Sequence, residues 1–125
     1  MVASYRDLTV WQRAMERAAL VYELTARLPR EEIYGLRSPL QRAAVSIPSN
    51  IAEEHAKEST KEYLRYLLVS RGSMAELETQ VLLCQKLPLL SKEGVEHALI
   101  VSDEIGRMIR GLQQSLTKRL NKKRA

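Results

Sequence analysis

The strongest constraint on the fold is a regular pattern of apolar and small residues between Thr60 and Leu87. These residues recur in alternating steps of four and three, which places them on one side of an α-helix. Such a narrow seam is typical of a helix inside a bundle. Ser59 and Glu62 form an S-x-x-E capping box before the pattern, and Pro88 ends it. The seam consists of Tyr63, Leu67, Ser70, Met74, Leu77, Val81 and Cys84.

Three further segments have helical periodicity. The first is expected from about Leu8 to Leu28, with Asp7 as its N-terminal cap. The second is expected over Ser38–Lys57, with Ser38 as its N-cap. The fourth is expected from about Lys92 to Leu120, after Ser91 as N-cap.

The links between these segments are short, and short links make neighbouring helices antiparallel. The sequence therefore predicts an all-α, antiparallel, up-down four-helix bundle that forms a single domain over residues 1–125. Pro48 falls inside the second helix, where it removes one backbone donor and collides with the carbonyl of Ala44. We expect the second helix to be kinked at Pro48.

Helical bundles often hold metals, and di-iron sites use Glu-x-x-His pairs. Neither histidine has this pair, because Ala52 and Gly94 stand three residues before His55 and His97. A carboxylate-rich metal site around His55 remains an alternative, but a solvated helix end of mixed charge is the favoured interpretation. No glycine-rich phosphate loop or nucleophile elbow is present. We expect no catalytic residue, no cofactor, no metal and no enzymatic activity. The acidic neighbours of His55 are Glu53, Glu54, Glu58 and Glu62.

The composition points to a cytoplasmic protein. The single cysteine, Cys84, allows no internal disulfide and falls on the apolar seam, where a thiol is usually inert. The first residues lack the apolar stretch of a signal peptide, and no uncharged run approaches the ~20 residues that span a bilayer. We therefore expect no contact with a membrane.

A second apolar stripe lies beside the seam of the third helix, at Leu64, Leu68, Ala75 and Leu82. A helix that faces one core normally has a polar back, so the extra stripe predicts contacts between subunits through Leu64, Leu68 and Leu82. The alternative is a thick, well-covered monomer core. The first helix is similarly broad on its apolar side, at Val10, Met15, Ala19 and Leu20.

The net charge of +5 comes entirely from a short basic C-terminal tail, residues 118–125. The preceding 117 residues contain equal numbers of acidic and basic side chains. A basic helix end is typical of phosphate binding, although basic residues there also simply complement the helix dipole. No aromatic residue is interleaved, so base stacking is not indicated. The candidate nucleic-acid-binding residues are Arg107, Arg110, Lys118, Arg119, Lys122, Lys123 and Arg124.

Four sequence stretches together resemble a known family. They are Asp7–Ala14, Tyr34–Leu36, Arg42–Glu53 and Gly72–Gln80, and the SIPSNIAE run at Ser46–Glu53 is the most specific. The resemblance is to the bacterial four-helix bundle family of ribosomal RNA intervening-sequence proteins. That family is related in fold to the accessory variability determinant of diversity-generating retroelements.

The resemblance covers about Tyr5 to Leu90 and implies an up-down bundle that assembles as a ring-shaped homopentamer. The retroelement relatives bind nucleic acid and a reverse transcriptase, so both become expected partners, besides other copies of the chain. One departure is that the family usually has glycine after the SIPSNIAE run, where this chain has Glu54 and His55. A local change at the end of the second helix is therefore expected.

These observations leave two main functional hypotheses. The first is a non-catalytic oligomeric accessory protein that binds RNA or DNA through basic surfaces. The second is a structural or partner-binding bundle with no nucleic-acid role, in which the tail only aids solubility. A metalloenzyme is a third and much weaker alternative.

Overall fold

The structure, a computed structural model, describes residues 4–124 and the side chains of residues 4–123. Four α-helices account for most of this part of the chain, which contains no β-strand. They are α1 (Thr9–Thr25), α2 (Ser38–Lys57), α3 (Thr60–Lys86) and α4 (Lys92–Arg124). The predicted all-α four-helix bundle is thus confirmed.

Each helix packs against the helices before and after it in the chain, and α4 closes the bundle against α1. Two residues connect α2 to α3, and five connect α3 to α4. The longer link between α1 and α2 contains a 3-10 turn at Arg30–Glu32 and a π-helical turn at Ile33–Arg37. The α3 seam is confirmed, because all seven of its residues are buried.

The core consists of two apolar clusters stacked along the bundle axis. One contains Val21 and Leu77, and the other contains Ile47 and Ile105. Arg17 lies on α1 between the residues that belong to the two clusters, and its side chain is fully buried. The sequence pattern gave no sign of this polar layer, because an arginine within an apolar stripe is normally assigned to the surface.

The prediction that Asp7 caps α1 is wrong. A short 3-10 helix, Tyr5–Asp7, precedes α1, so Leu8 takes the N-cap position of α1 and makes no side-chain hydrogen bond there. Ser4 caps the 3-10 helix instead, because its hydroxyl accepts from the backbone N–H of Arg6 at 3.2 Å.

The first helix also ends earlier than predicted, at Thr25 rather than Leu28. The Thr25 hydroxyl donates to the carbonyl of Val21 at 2.7 Å. Arg37 reaches back to the end of α1 and donates from Nε to the Thr25 carbonyl at 3.0 Å and from Nη2 to the Leu28 carbonyl at 3.2 Å. Arg37 therefore supplies the C-terminal cap that no residue of α1 provides.

The predicted bounds of α2 are confirmed, but Ser38 is not its N-cap. Arg37 occupies that position in helical conformation, because the π-helical turn runs directly into α2. The Ser38 hydroxyl instead donates to the carbonyl of Ile33 at 2.6 Å. Further along, α2 remains helical on both sides of the buried Pro48.

Gly35 lies close to a neighbouring side chain in the π-helical turn. The Glu32 side chain accepts from the backbone N–H of Leu36 at 3.2 Å, which brings its carboxylate over the turn. A Cβ added at Gly35 would overlap Glu32 Oε1, so a larger residue there would require the end of this flexible side chain to move.

The predicted caps of α3 and α4 are confirmed. Ser59 Oγ accepts from the backbone N–H of Glu62 at 3.4 Å, and Ser91 Oγ accepts from that of Gly94 at 3.0 Å. The fourth helix extends to Arg124, so the basic tail is helical over all of its described residues. Within residues 4–124, no helix combines the length and apolar character needed to cross a membrane.

Candidate nucleic-acid interface

The outward side of α4 carries three of the predicted basic residues. Arg107, Arg110 and Lys118 are exposed, and at about 100° per residue they lie opposite the buried stripe of the helix. Arg107 forms an ion pair with Asp103 one turn earlier on the same helix. Part of its charge is thereby neutralised, which leaves Arg110 and Lys118 as the stronger candidates for binding phosphate.

A groove of about 450 Å³ between α3 and α4 brings Arg110 and Lys118 together with Arg71 of α3. No acidic residue is among the described residues that line this groove. Three cations with no carboxylate in the same lining create a local positive potential, which favours a polyanion. We call this surface the basic groove, and its lining residues are Arg71, Arg110, Gln113, Gln114, Thr117 and Lys118.

Arg71 is a candidate residue that sequence analysis missed. It stands beside the apolar stripe of α3, where its charge appears in the sequence as an ordinary solvated residue. Only the packing of α4 against α3 places it next to Arg110. Adjacent to the basic groove, a smaller cleft of about 230 Å³ has mixed charge, because Glu78 and Asp103 line it together with the two arginines.

The other predicted basic residues do not belong to this groove. Arg119 and Lys123 lie one turn apart and line a separate cleft at the end of the bundle. Lys122 is exposed, and the side chain of Arg124 lies outside the described residues. The basic tail is thus divided between two different surfaces instead of forming one.

The predicted oligomer stripe is only partly exposed. The side chains of Leu68 and Leu82 remain 59% and 48% exposed, whereas Leu64 is half-buried against the second core cluster. On α1, Val10 is buried, so it adds to the core and not to the outer surface as the sequence suggested. Its side chain turns inward beside Ala14, in the same cluster.

A second apolar surface lies on the opposite pair of helices. A groove of about 440 Å³ between α1 and α2 is lined mainly by apolar side chains. Met15, Tyr22 and Val45 are exposed there, and Pro48 forms part of its wall. We call this surface the α1–α2 groove.

The end of α2 differs from the predicted solvated helix end. Glu54 is fully buried, with one oxygen accepting from Lys57 Nζ at 3.0 Å and the other without a partner among the described residues. Its neighbour Tyr63 is also buried; burial, and then the negative charge of Glu54, raise the pKa of the Tyr63 hydroxyl to about 12. The ring of His55 packs edge-on against that of Tyr63, with ring centres 6.1 Å apart.

The expected departure after the SIPSNIAE run therefore coincides with a buried carboxylate. Within the described residues, no group of three or more histidine, cysteine, aspartate or glutamate side chains is close enough to hold a metal ion. Burial, and then the charge of Glu32, raise the pKa of the Cys84 thiol, which lowers its reactivity as a nucleophile.

Fold and surface together define a four-helix bundle with a basic groove between α3 and α4, exposed leucines on α3 and an apolar groove between α1 and α2. The sequence profile of the 23S rRNA-intervening sequence protein family matches residues 6–111, and the chain belongs to this family. The resemblance stated from the four motifs is thereby confirmed, and the match extends into α4. Arg107 and Arg110 fall inside the matched region, whereas Lys118 and the rest of the tail lie beyond it. No curated protein matches the chain.

Proposed function

We propose that this protein is a non-catalytic, oligomeric accessory protein that binds RNA or DNA through the phosphate backbone. The basic groove is the observation that carries the proposal. Arg71 and Arg110 come from different helices and line one concave surface, and Lys118 extends it along α4. Arginine and lysine side chains that neutralise phosphates supply most of the affinity of non-specific nucleic-acid binding.

The dimensions of the groove suit a strand that lies along α4. Arg110 and Lys118 are eight residues apart, which corresponds to about 12 Å of helix. This length exceeds the distance between neighbouring phosphates of one strand, so the two cations can contact different phosphates. Gln113 and Gln114 add amide donors, which contact phosphate and sugar oxygens readily. The groove lining contains no aromatic residue, so binding would be directed to the backbone and weakly specific for sequence.

RNA is the first nucleic acid to test, because the family is named for an intervening sequence of 23S rRNA. DNA and a reverse transcriptase remain expected partners through the proposed relation to retroelement accessory proteins. Elemental analysis of tag-free protein is the simplest check on the metalloenzyme alternative, since a stoichiometric transition metal would support it.

Self-assembly is the second part of the proposal. The family resemblance suggests a homopentamer, and exposed leucines on α3 provide a physical reason for subunit contacts. Burying one leucine side chain contributes roughly 1.5–3 kcal/mol, so Leu68 and Leu82 together offer a substantial driving force. Arg71 lies on the same side of α3 as Leu68 and Leu82, so subunit contacts through these leucines would border the basic groove. A ring that leaves the groove open would raise the affinity for a long polyanion through multivalency.

The alternative function is a structural or partner-binding bundle without nucleic acid. The α1–α2 groove supports it, because an apolar groove of this kind is where an amphipathic helix of another protein docks. The two functions differ in what they require of the basic groove. Only the first predicts that its cations contribute to a measurable binding equilibrium.

A fluorescence titration with a labelled single-stranded RNA at low salt tests the proposal. We expect Arg71→Gln with Arg110→Gln to weaken binding by at least about tenfold, because each lost charged contact contributes roughly 1 kcal/mol or more. A matched control is Arg27→Gln with Lys92→Gln, which removes the same charge from exposed positions outside the groove.

Equal losses in the two double variants would show that net charge matters and that the groove does not. If the native protein binds neither RNA nor DNA, the partner-binding alternative is favoured. Deleting residues 118–125 is a less informative change, because it removes Lys118 from the basic groove and also Arg119 and Lys123 from the end cleft.

A further inference from the structure

A large surface cleft lies at one end of the bundle, away from the basic groove. It has a volume of about 910 Å³, and three parts of the chain enclose it. These are the segment that precedes α1, the turn between α2 and α3, and the last turns of α4. This volume is within the range of roughly 300–1,000 Å³ that is usual for small-molecule sites.

Part of the lining of this end cleft is polar and cationic. Arg119 and Lys123 project from successive turns of α4, and neither forms an ion pair with any described residue. Thr60 lies in the first turn of α3, where Ser59 Oγ accepts from the backbone N–H of Glu62 and the N–H groups of Thr60 and Lys61 have no partner within the helix. The one acidic residue in the lining is Glu58. Two cations, a hydroxyl group and a helix N-terminus form a surface that fits a phosphate group.

The same lining also contains apolar and aromatic groups. Leu116 lies on the same side of α4 as Arg119 and Lys123, and the other two parts of the chain contribute Leu8 and the rings of Tyr5 and His55. Both rings are held by neighbours: Tyr5 packs edge-on against Trp11 with ring centres 5.3 Å apart, and His55 packs against Tyr63. Inorganic phosphate alone would leave these apolar groups uncovered, whereas a nucleoside would cover them and stack on the rings.

We propose that the end cleft binds a nucleotide through its phosphate, with Arg119 and Lys123 holding the phosphate and Tyr5 and His55 contacting the base. The same phosphomonoester occurs in a free mononucleotide and at the phosphorylated end of an RNA strand. If the ligand is the end of an RNA strand, the inference rests on the proposed function, and if it is a free nucleotide, it does not. With an RNA end as ligand, the basic groove would hold the internal backbone while the end cleft would recognise the terminus.

The test is isothermal titration of the full-length protein with adenosine 5′-monophosphate, adenosine and inorganic phosphate. We expect the monophosphate to bind at least about tenfold more tightly than adenosine, because charged hydrogen bonds to the phosphate each contribute about tenfold or more. It should also bind more tightly than inorganic phosphate, since only the nucleotide contacts the apolar groups of the lining. Equal binding of the monophosphate and inorganic phosphate would overturn the assignment to a nucleotide.

Three variants locate the site. Arg119→Gln with Lys123→Gln should abolish the preference for the monophosphate, whereas Arg110→Gln with Lys118→Gln in the basic groove should keep it. Ser115→Trp fills the end cleft from an exposed position without changing the charge, and it should also abolish binding. Unchanged monophosphate binding in the first and third variants, or none in the native protein, would overturn the proposal.

A final comparison distinguishes the two sources of the phosphate. If RNA with a 5′-phosphate binds more tightly than the same RNA with a 5′-hydroxyl, and the advantage disappears in the Arg119 and Lys123 variant, the strand end is the ligand. If the monophosphate binds but the two RNAs do not differ, the ligand is a free nucleotide. If both RNAs bind equally and the monophosphate fails to bind, the end cleft proposal is wrong while the proposed function stands.

Discussion

Arg17 on α1 donates a hydrogen bond from Nη1 to the hydroxyl of Ser102 on α4, at 3.1 Å, in the buried layer between the two core clusters. Its Nε and Nη2 atoms have no partner among the described residues, and the side chain is fully buried. Burial lowers the pKa of Arg17 to about 10, and the charge of Glu78 only partly opposes this effect. At neutral pH the bundle therefore holds an arginine that is charged and incompletely paired.

Replacing Arg17 with Met should stabilise the protein, because it removes the cost of desolvating this charge and fills the layer with an apolar side chain. Replacing buried ionic groups by apolar side chains of similar volume often raises the free energy of unfolding by about 1–3 kcal/mol. The Ser102 hydroxyl remains satisfied, since serine can donate to a carbonyl one turn earlier in its helix. Thermal and urea unfolding at pH 7 measure the difference, with Arg13→Met at the partly exposed Arg13–Glu104 pair as control.

The stability difference between the native protein and Arg17→Met should change with pH in a defined direction. Below pH 10, Arg17 is protonated in both the folded and unfolded states, so its cost is fully present. As the pH rises above about 10, the folded state releases this proton before the unfolded state does, so the native protein gains stability with pH and the advantage of Arg17→Met shrinks. A variant less stable than the native protein at pH 7 would show that the arginine pairs with Glu78 in solution.

Tyr63 should ionise near pH 12, because burial and the neighbouring Glu54 both oppose the phenolate. Glu54→Gln should lower the pKa of Tyr63 but leave it above 10, since burial is the larger cause. Difference absorbance titration against Tyr63→Phe isolates the signal of this residue. The raised pKa makes a contribution to stability that is present below pH 10 and is lost as the pH rises toward 12. An unchanged pKa in Glu54→Gln would mean that the two groups do not interact.

Assembly should depend on the exposed leucines of α3. Leu68→Glu with Leu82→Glu is expected to give smaller species that keep their helical content, because both side chains face outward. Leu64 is a poor test position, since it packs against the core and its replacement would also unfold the bundle. Ile100→Glu is the matched control, with 60% exposure on α4. Light scattering that reports a monomer for the native chain would rule out the oligomer.

Pro48 should matter more for assembly than for folding. It lies buried in α2 and forms part of the wall of the α1–α2 groove, so a bend at this position would shape that surface. We expect Pro48→Ala to straighten α2 and disturb assembly, even though it restores a backbone donor. Sedimentation and thermal unfolding test this together. Unchanged assembly with a clearly higher melting temperature would show that the proline serves no structural purpose.

The helical pattern of the sequence was sufficient to predict the bundle, because seam positions such as Leu77 and Val81 determine which side of α3 is buried. The α2 bounds and the caps Ser59 and Ser91 followed from local chemistry in the same way. The C-terminal cap of α1 could not be predicted, since Arg37 reaches Thr25 only after the chain has folded back.

The candidate site was predicted only in part, for the same reason. Periodicity along α4 placed Arg110 and Lys118 on its outward side, but it carries no information about the neighbouring helix. Arg71 joins them through the packing of α3, and Arg119 and Lys123 turn toward a different cleft. The charges themselves can be read from the sequence, whereas their division into two surfaces is a property of the folded bundle.

The most direct test of the central claim is the salt dependence of RNA binding. For a single strand, the log of the binding constant falls with log salt by about 0.7 per phosphate neutralised. The triple variant Arg71→Gln, Arg110→Gln and Lys118→Gln should therefore reduce the slope by about 2 relative to the native protein, and the control Arg27→Gln with Lys92→Gln should leave it unchanged. A slope that is the same in the native protein and the triple variant would contradict a role for the basic groove in holding nucleic acid.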